Sequence, residues 1–458
     1  MTPAPSAAHH GDEPIGTEAT ASSTATGWSD TDLVSLVLPP HLPTTSPTTS
    51  PAASPTTSPT TSPTTSPTTS PTTAPATSPA TAPAASGESS FISLGETTTA
   101  TDLPDPVCAT GTSSIELTAF FEMGRPLLGA DYQRTFALPD GRVLWLFQDA
   151  FLPTSHGREL VHNVGLLQSG RCFQLLRSGS ADAPAPYILP ARTDPFVHWF
   201  WPLGGGVGLD GRLHVFVAEM REHGPGYLTH TEPVATWLVS IDLETLAADD
   251  GRPAPNPSNE LYGWSVVARG EFTYLYAHCY RQFGWDLFPF ADPPFRTHDF
   301  ACGPDVTVAR IPRSDFDATP EYWDGTRWTT DPEMATPVIP REGRAVNPSQ
   351  VALLDGRFVA VTKVGDWWGD TIYLDVATAA EGPWATYGTV TVTPDDDGNT
   401  YFASIMPYGA DDNSFIIGIS QNTWSGDDPD HYTPMFLRVP APGGDGSIDA
   451  TVPAPVAP

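Results

Sequence analysis

The sequence predicts an all-β fold, a five-bladed β-propeller preceded by a disordered Thr/Ser/Pro-rich N-terminal segment, and three observations predict it. Asp-Gly-Arg turns followed by apolar, β-rich runs recur at 140–147, 210–217 and 355–361, each reading as the second half of a hairpin. The turn glycines Gly141, Gly211 and Gly356 stand 70 and 145 residues apart. The second interval is close to twice the first, so one less regular repeat belongs between them. Helical periodicity hardly occurs along the same stretch, and five units of four strands fit its length. A double-sheet sandwich would not naturally give so long a repeat.

Taken in chain order, the N-terminal part comes first. No lysine or arginine precedes Arg125, and from Pro43 to Pro83 a proline recurs every fourth residue, mostly as Thr-Thr-Ser-Pro. Such a segment buries too little apolar surface to offset its ordering entropy. Residues 1–104 therefore read as a disordered region carrying an extended stalk, with the composition of an O-glycosylated spacer. The apolar run at 33–38 is short and lacks the basic flank of a secretory signal. Residues 105–442 read as the folded domain and 443–458 as a disordered tail. Beyond the three marked repeats, a unit within 262–328 has strands near 265–268, 273–276 and 306–310. A fifth over 401–439 has strands near 414–419 and 435–439.

Composition excludes several classes. The formal net charge of −32 argues against nucleic acid or an anionic membrane surface as partner, since both require a basic field. No stretch approaches the roughly 20 apolar residues of a membrane span. Cys108, Cys172, Cys279 and Cys302 lack Cys-x-x-Cys spacing, which disfavours zinc. An even count on a stalked, acidic chain points to one or two disulfides outside the cytosol, with Cys279 and Cys302 closing the aromatic, proline-rich excursion between them; four unpaired thiols are the alternative. The expected location is extracellular or at the cell surface.

The residues that carry chemistry flank the first turn. Leu138-Pro139-Asp140-Gly141-Arg142 favours a type I turn followed by left-handed glycine, a three-residue hairpin loop that pairs Leu138 with Arg142. Counting outward, Phe136 faces Leu144, Arg134 faces Leu146, and Asp131 falls opposite Asp149. Opposed residues share a face with Cβ atoms about 4.5–5.5 Å apart, and like charges there are destabilising. A fold that keeps such a pair has a use for it. Two carboxyl groups about 5–5.5 Å apart are the geometry of a retaining glycosidase; another loop length would set them on opposite faces. Eight residues after the turn glycine stands Asp149 in the first unit and Glu219 in the second. Glu219 is thus expected at the same pocket, where a third carboxylate would help split the other two pKa values, or else as a solvated strand end.

Gly129-Ala130-Asp131 reads as opening the first blade, Trp145-Leu146-Phe147-Gln148-Asp149 as closing its hairpin, and Val161-His162-Asn163 as beginning the next strand. Together with Ala309-Arg310-Ile311-Pro312, Tyr322-Trp323-Asp324-Gly325, Glu381-Gly382-Pro383-Trp384 and Gln421-Asn422, they make the chain resemble the five-bladed propeller glycoside hydrolases that include the endo-D-arabinanases of cell-wall arabinan. The resemblance spans roughly 116–440. It implies anomer-retaining cleavage inside arabinofuranan chains by Asp131 and Asp149, here taken as nucleophile and acid/base. Gln148 and Ala150 depart from the family's Phe-Gly-Asp-Thr form, which touches substrate detail more than catalysis.

An uncharged furanoside must be held by hydrogen bonds and by apolar ring faces on aromatics. Candidates to bind it are His162, Asn163, Glu219, Trp201, Trp367 and Asn422, within a wider set of tryptophans at 199, 264, 285, 368 and 424. No cofactor and no metal ligand set is expected, since nothing in the pattern specifies an axial calcium, and the partner is an arabinan polysaccharide met by a monomer. Two other readings stay open: a noncatalytic glycan-binding propeller, and an inverting pentosan hydrolase that uses Glu219 across about 6.5–9.5 Å.

Overall fold

The structure is a computed structural model that describes residues 34–36, 103–190, 197–222, 231–256, 261–278, 306–339, 350–364, 370–392, 398–411, 413–423 and 432–443. Its strands grow from the turns that the sequence marks. Gly141, Gly211 and Gly356 have φ of 87°, 78° and 71°, and a Cβ at each would meet nothing within 4 Å. Backbone conformation alone therefore asks for glycine there. These turns join Arg134–Ala137 to Val143–Leu146, Val197–Val207 to Leu213–Glu222, and Gln350–Leu354 to Arg357–Val364. In the repeat without the motif, Gly270 (φ 62°) makes the equivalent turn between Leu261–Arg269 and Phe272–His278.

Each hairpin founds a sheet. The first sheet runs from Arg134–Ala137 through Val143–Leu146, Gly165–Ser169 and Cys172–Leu176 to Val107–Cys108. The second adds Thr231–Ile241 and Arg252–Pro253 to its hairpin, and the third adds Val306–Pro312, Glu321–Trp323 and Trp328–Thr329. The fourth adds Thr371–Ala377 and Ala385–Val392, on whose edge Val34–Leu36 pairs. The fifth comprises Gly398–Ile405, Ser414–Thr423 and Met435–Pro440, three described strands where four were expected.

Five apolar clusters fill the gaps between successive sheets. Phe136, Leu144 and Leu167 meet Val215 and Val239 between the first and second. Trp199 and Phe216 meet Trp264 and Leu275 between the second and third. Val308 and Tyr276 meet Phe358 and Ala360, and Val361 and Leu374 meet Ile405 and Ile417. The last cluster brings Ile416 and Phe436 of the fifth sheet against Trp145 and Phe173 of the first, so the sheets follow one another in a closed cycle.

A helix, Ser114–Glu122, seals that last gap, an element the apolar pattern did not announce. Ser113 and Glu116 form a capping box at its start, which satisfies two orphan amides reciprocally. Phe120 stacks on Phe173 at 4.3 Å and Phe121 on Phe436 at 5.6 Å. Cys108 and Cys172 lie opposite each other on adjacent strands and form a disulfide. The pairing of Cys279 with Cys302, Trp367, the Thr/Ser/Pro stalk and the tail from 444 lie outside the described residues. Among the described residues no helix is long and apolar enough to cross a membrane.

Candidate active site

The first hairpin has the register counted from its turn: Phe136 pairs with Leu144, Arg134 with Leu146, Ala130 with Ala150 and Gly129 with Phe151. Asp131 lies in step between these pairs, and its amide donates to the Asp149 carbonyl at 3.0 Å. A second tight turn ends at Gly157 (φ 129°) and folds Gly157–His162 back on Asp149–Thr154, pairing Asp149 with His162. His162 thus closes a strand instead of opening one. Asp131, Asp149 and His162 form a row across three strands, and opposed residues share a face.

Asp149 Oδ1 lies 2.5 Å from His162 Nδ1 and accepts the Trp201 indole N–H at 3.1 Å. The His162 ring stacks on Trp199 at 4.5 Å, which fixes its plane. Asp131 Oδ1 accepts the Asp149 amide at 3.2 Å, and Oδ2 accepts the Tyr401 hydroxyl at 2.7 Å. Both aspartates are buried, at 6% and 5% exposure. Burial, then the charge of Asp149, pushes the Asp131 carboxyl up to about 8, against the opposing hydrogen bonds of Tyr401, Tyr432 and the Asp149 amide. Burial and the Asp131 charge raise the Tyr401 phenol well above its usual range, so it serves as a donor. A carboxyl raised in this way holds its proton near neutrality, as a general acid must.

The other candidates separate. Asn163 is fully buried in the left-handed region (φ 45°). Its amide donates to the Ile188 and Phe200 carbonyls at 2.9 and 3.0 Å and accepts from the Ile188 amide at 2.6 Å. It braces the backbone behind the row, with both amide protons engaged. Glu219 is also fully buried. It pairs with Phe200, whereas Trp199 and Trp201 pair with Met220 and Ala218, so strand alternation puts its side chain on the face away from the two tryptophans that touch the row. Its carboxylate accepts the Trp237 indole N–H at 2.7 Å and lies 2.8 Å from His198 Nδ1. Neither a shared pocket nor a solvated strand end describes it. Asn422 pairs with Asn399, two residues beyond Ser420, whose hydroxyl accepts the Tyr132 amide at 2.9 Å. Tyr401 and Tyr432 were not read from the sequence, because each arrives from the fifth sheet with no local pattern linking it to Asp131. Among the described residues no group of His, Cys, Asp and Glu could hold a metal ion.

A family model described as a domain of unknown function, DUF5005, matches residues 115–441. The chain belongs to this family. No curated protein matches the chain. Among solved structures, the DUF5005 chain is similar to a protein from Bacteroides ovatus ATCC 8483 provisionally described as a hydrolase, with 16% identity, a TM-score of 0.52, and coverage of 70% of this chain and 89% of that one. A GH43_1 enzyme from Xanthomonas citri complexed with xylotriose gives 14% identity, a TM-score of 0.41 and coverage of 70% and 90%. A GH43 β-xylosidase/α-arabinofuranosidase from a compost microbial metagenome, in complex with xylotriose, gives 11%, 0.41, and 76% and 98%. The likeness to the Bacteroides protein is one of fold.

Proposed function

We propose that this DUF5005 domain is a five-bladed propeller glycoside hydrolase that cleaves arabinofuranan chains internally with retention of configuration, working outside the cytosol. The row Asp131, Asp149, His162 is the observation that supports it. Adjacent strands hold the two aspartates in register in a buried site, and opposed residues share a face, as double displacement by two neighbouring carboxyl groups requires. Asp131 protonates the glycosidic oxygen as the bond breaks. Asp149, oriented by His162 and Trp201, attacks the anomeric carbon to form a glycosyl ester. Asp131, now ionised, takes a proton from the water that releases the sugar.

Incubation with isolated D-arabinan and, separately, L-arabinan tests this reading. Oligosaccharides should appear from D-arabinan and should fail to appear with Asp149→Asn. Binding of arabinan without release by the wild type would instead mark a lectin-like domain. Release with full activity in Asp149→Asn would remove the row from the chemistry.

A further inference from the structure

The first strand of each of the five sheets borders one shared cavity of about 340 Å³. Arg134, Thr135, Leu203, Trp264, Gln350 and Met406 are among its lining residues, and Arg134 is the only charged one among the described lining residues. Arg134 is 1% exposed. Its guanidinium lies 4.5 Å from the Trp264 ring centre and 4.3 Å from that of Phe402, and Nη1 donates to the Trp264 carbonyl at 3.3 Å. Nε and Nη2 are buried with no acceptor among the described residues. The Trp264 indole N–H and the Thr135 hydroxyl are in the same state. Other polar groups at the cavity are engaged, since Ser265 Oγ accepts the Val351 amide at 3.0 Å and Gln350 Oε1 accepts the Ile405 amide.

A buried charge costs much more than aromatic faces return unless a counter-charge and hydrogen-bond partners meet it. Burial lowers the Arg134 guanidinium to about 9, and the one charge acting on it in the opposite direction is the Tyr132 phenol. The group is therefore cationic at neutral pH with no carboxylate beside it among the described residues. Fixed N–H donors facing apolar walls form a receptor for a small, weakly hydrated anion. A divalent cation would meet the wrong sign of charge and, among the described lining residues, no carboxylate.

We propose that this cavity is an anion site, in which Arg134 Nε and Nη2 hold a monovalent halide, chloride under ordinary conditions, with the Trp264 indole N–H as a further donor. Its place in the fold gives it a structural task. Phe402 under the guanidinium also stacks with Tyr132 at 4.7 Å, and its neighbour Tyr401 donates to Asp131. A filled site fixes the strands that carry the aspartate row.

The full chain, dialysed into sodium gluconate, is titrated with sodium chloride at constant ionic strength while its melting temperature is followed. Gluconate, a bulky and strongly hydrated carboxylate, is a poor match for a site that selects a small, weakly hydrated anion. The wild type should gain several degrees in a saturable way, bromide should act likewise, and Arg134→Met should respond to neither. Bromide-soaked crystals of the wild type should show an anomalous peak within hydrogen-bond distance of Arg134 Nε or Nη2, which keeps the test open if the variant does not fold. Chloride-independent melting, an equal response in Arg134→Met, or only water in the cavity of bromide-soaked crystals overturns the site.

Discussion

Asp131 should govern how stability depends on pH. In the folded protein it keeps its proton up to about 8, whereas an unfolded aspartate releases it near about 3.9. Between those values the folded state binds more protons than the unfolded one, so this group's contribution falls as pH rises through the window and levels off above it. Asp131→Asn removes that dependence. Its stability relative to wild type should therefore increase from about pH 4 to about pH 8, measured by denaturant melts across that range. A constant difference would show that Asp131 ionises normally. The division of roles has its own readout. With a 4-nitrophenyl leaving group, which needs no proton, Asp131→Asn should keep much of its kcat/KM but lose kcat, because release of the glycosyl ester lacks its base, and added azide should restore that turnover, while Asp149→Asn should lose about 10³-fold or more in both. The reverse pattern would return the nucleophile to Asp131. Asn163, with its amide bonded to three backbone groups, is tested by stability: Asn163→Ala should lower it by about 2–3 kcal/mol, because it leaves buried carbonyls without donors.

The opening hairpin was legible because its turn is chemically explicit. Pro139-Asp140-Gly141 fixes the loop length, and loop length fixes which residues face each other. The next turn, ending at Gly157, carries the same information through a less recognisable sequence, so the pairing of Asp149 with His162 escaped the count. Helix Ser114–Glu122 left a signal in Ser113 and Glu116, yet nine residues are too few for a clear helical period. Glu219 shows the limit of counting from a turn. Equivalent offsets put Asp149 and Glu219 at similar heights, but the face each side chain takes depends on the strand pairing of its own sheet. The Cys108–Cys172 link joins strands 64 residues apart in sequence, so closing that loop in the unfolded chain is worth about 4 kcal/mol. Reduction, or Cys172→Ser, should lower the melting temperature clearly, with the loss absent when reductant is added to the variant. An unchanged melting curve would show that the strands need no staple.

The closed cycle of sheets rests on side chains that no single repeat contains. The repeat length indicated how many units to seek, but the seal between last and first sheets depends on the aromatic face of a helix. Phe121 touches Trp145, Phe147, Phe173 and Phe436 there. Phe121→Ala should cost about 3–5 kcal/mol, read as a loss in denaturant midpoint. A cost near that of a surface change would place the closure elsewhere. The same closure brings Tyr401 and Tyr432 to Asp131, so the chemistry depends on the first and last sheets meeting, which explains why half the row's surroundings were invisible in local sequence. The most direct test of the proposed double displacement is the configuration of the first product released from D-arabinan, read by NMR before mutarotation. Retention with the substrate's anomer is the predicted result; an inverted product would contradict the paired action of Asp131 and Asp149.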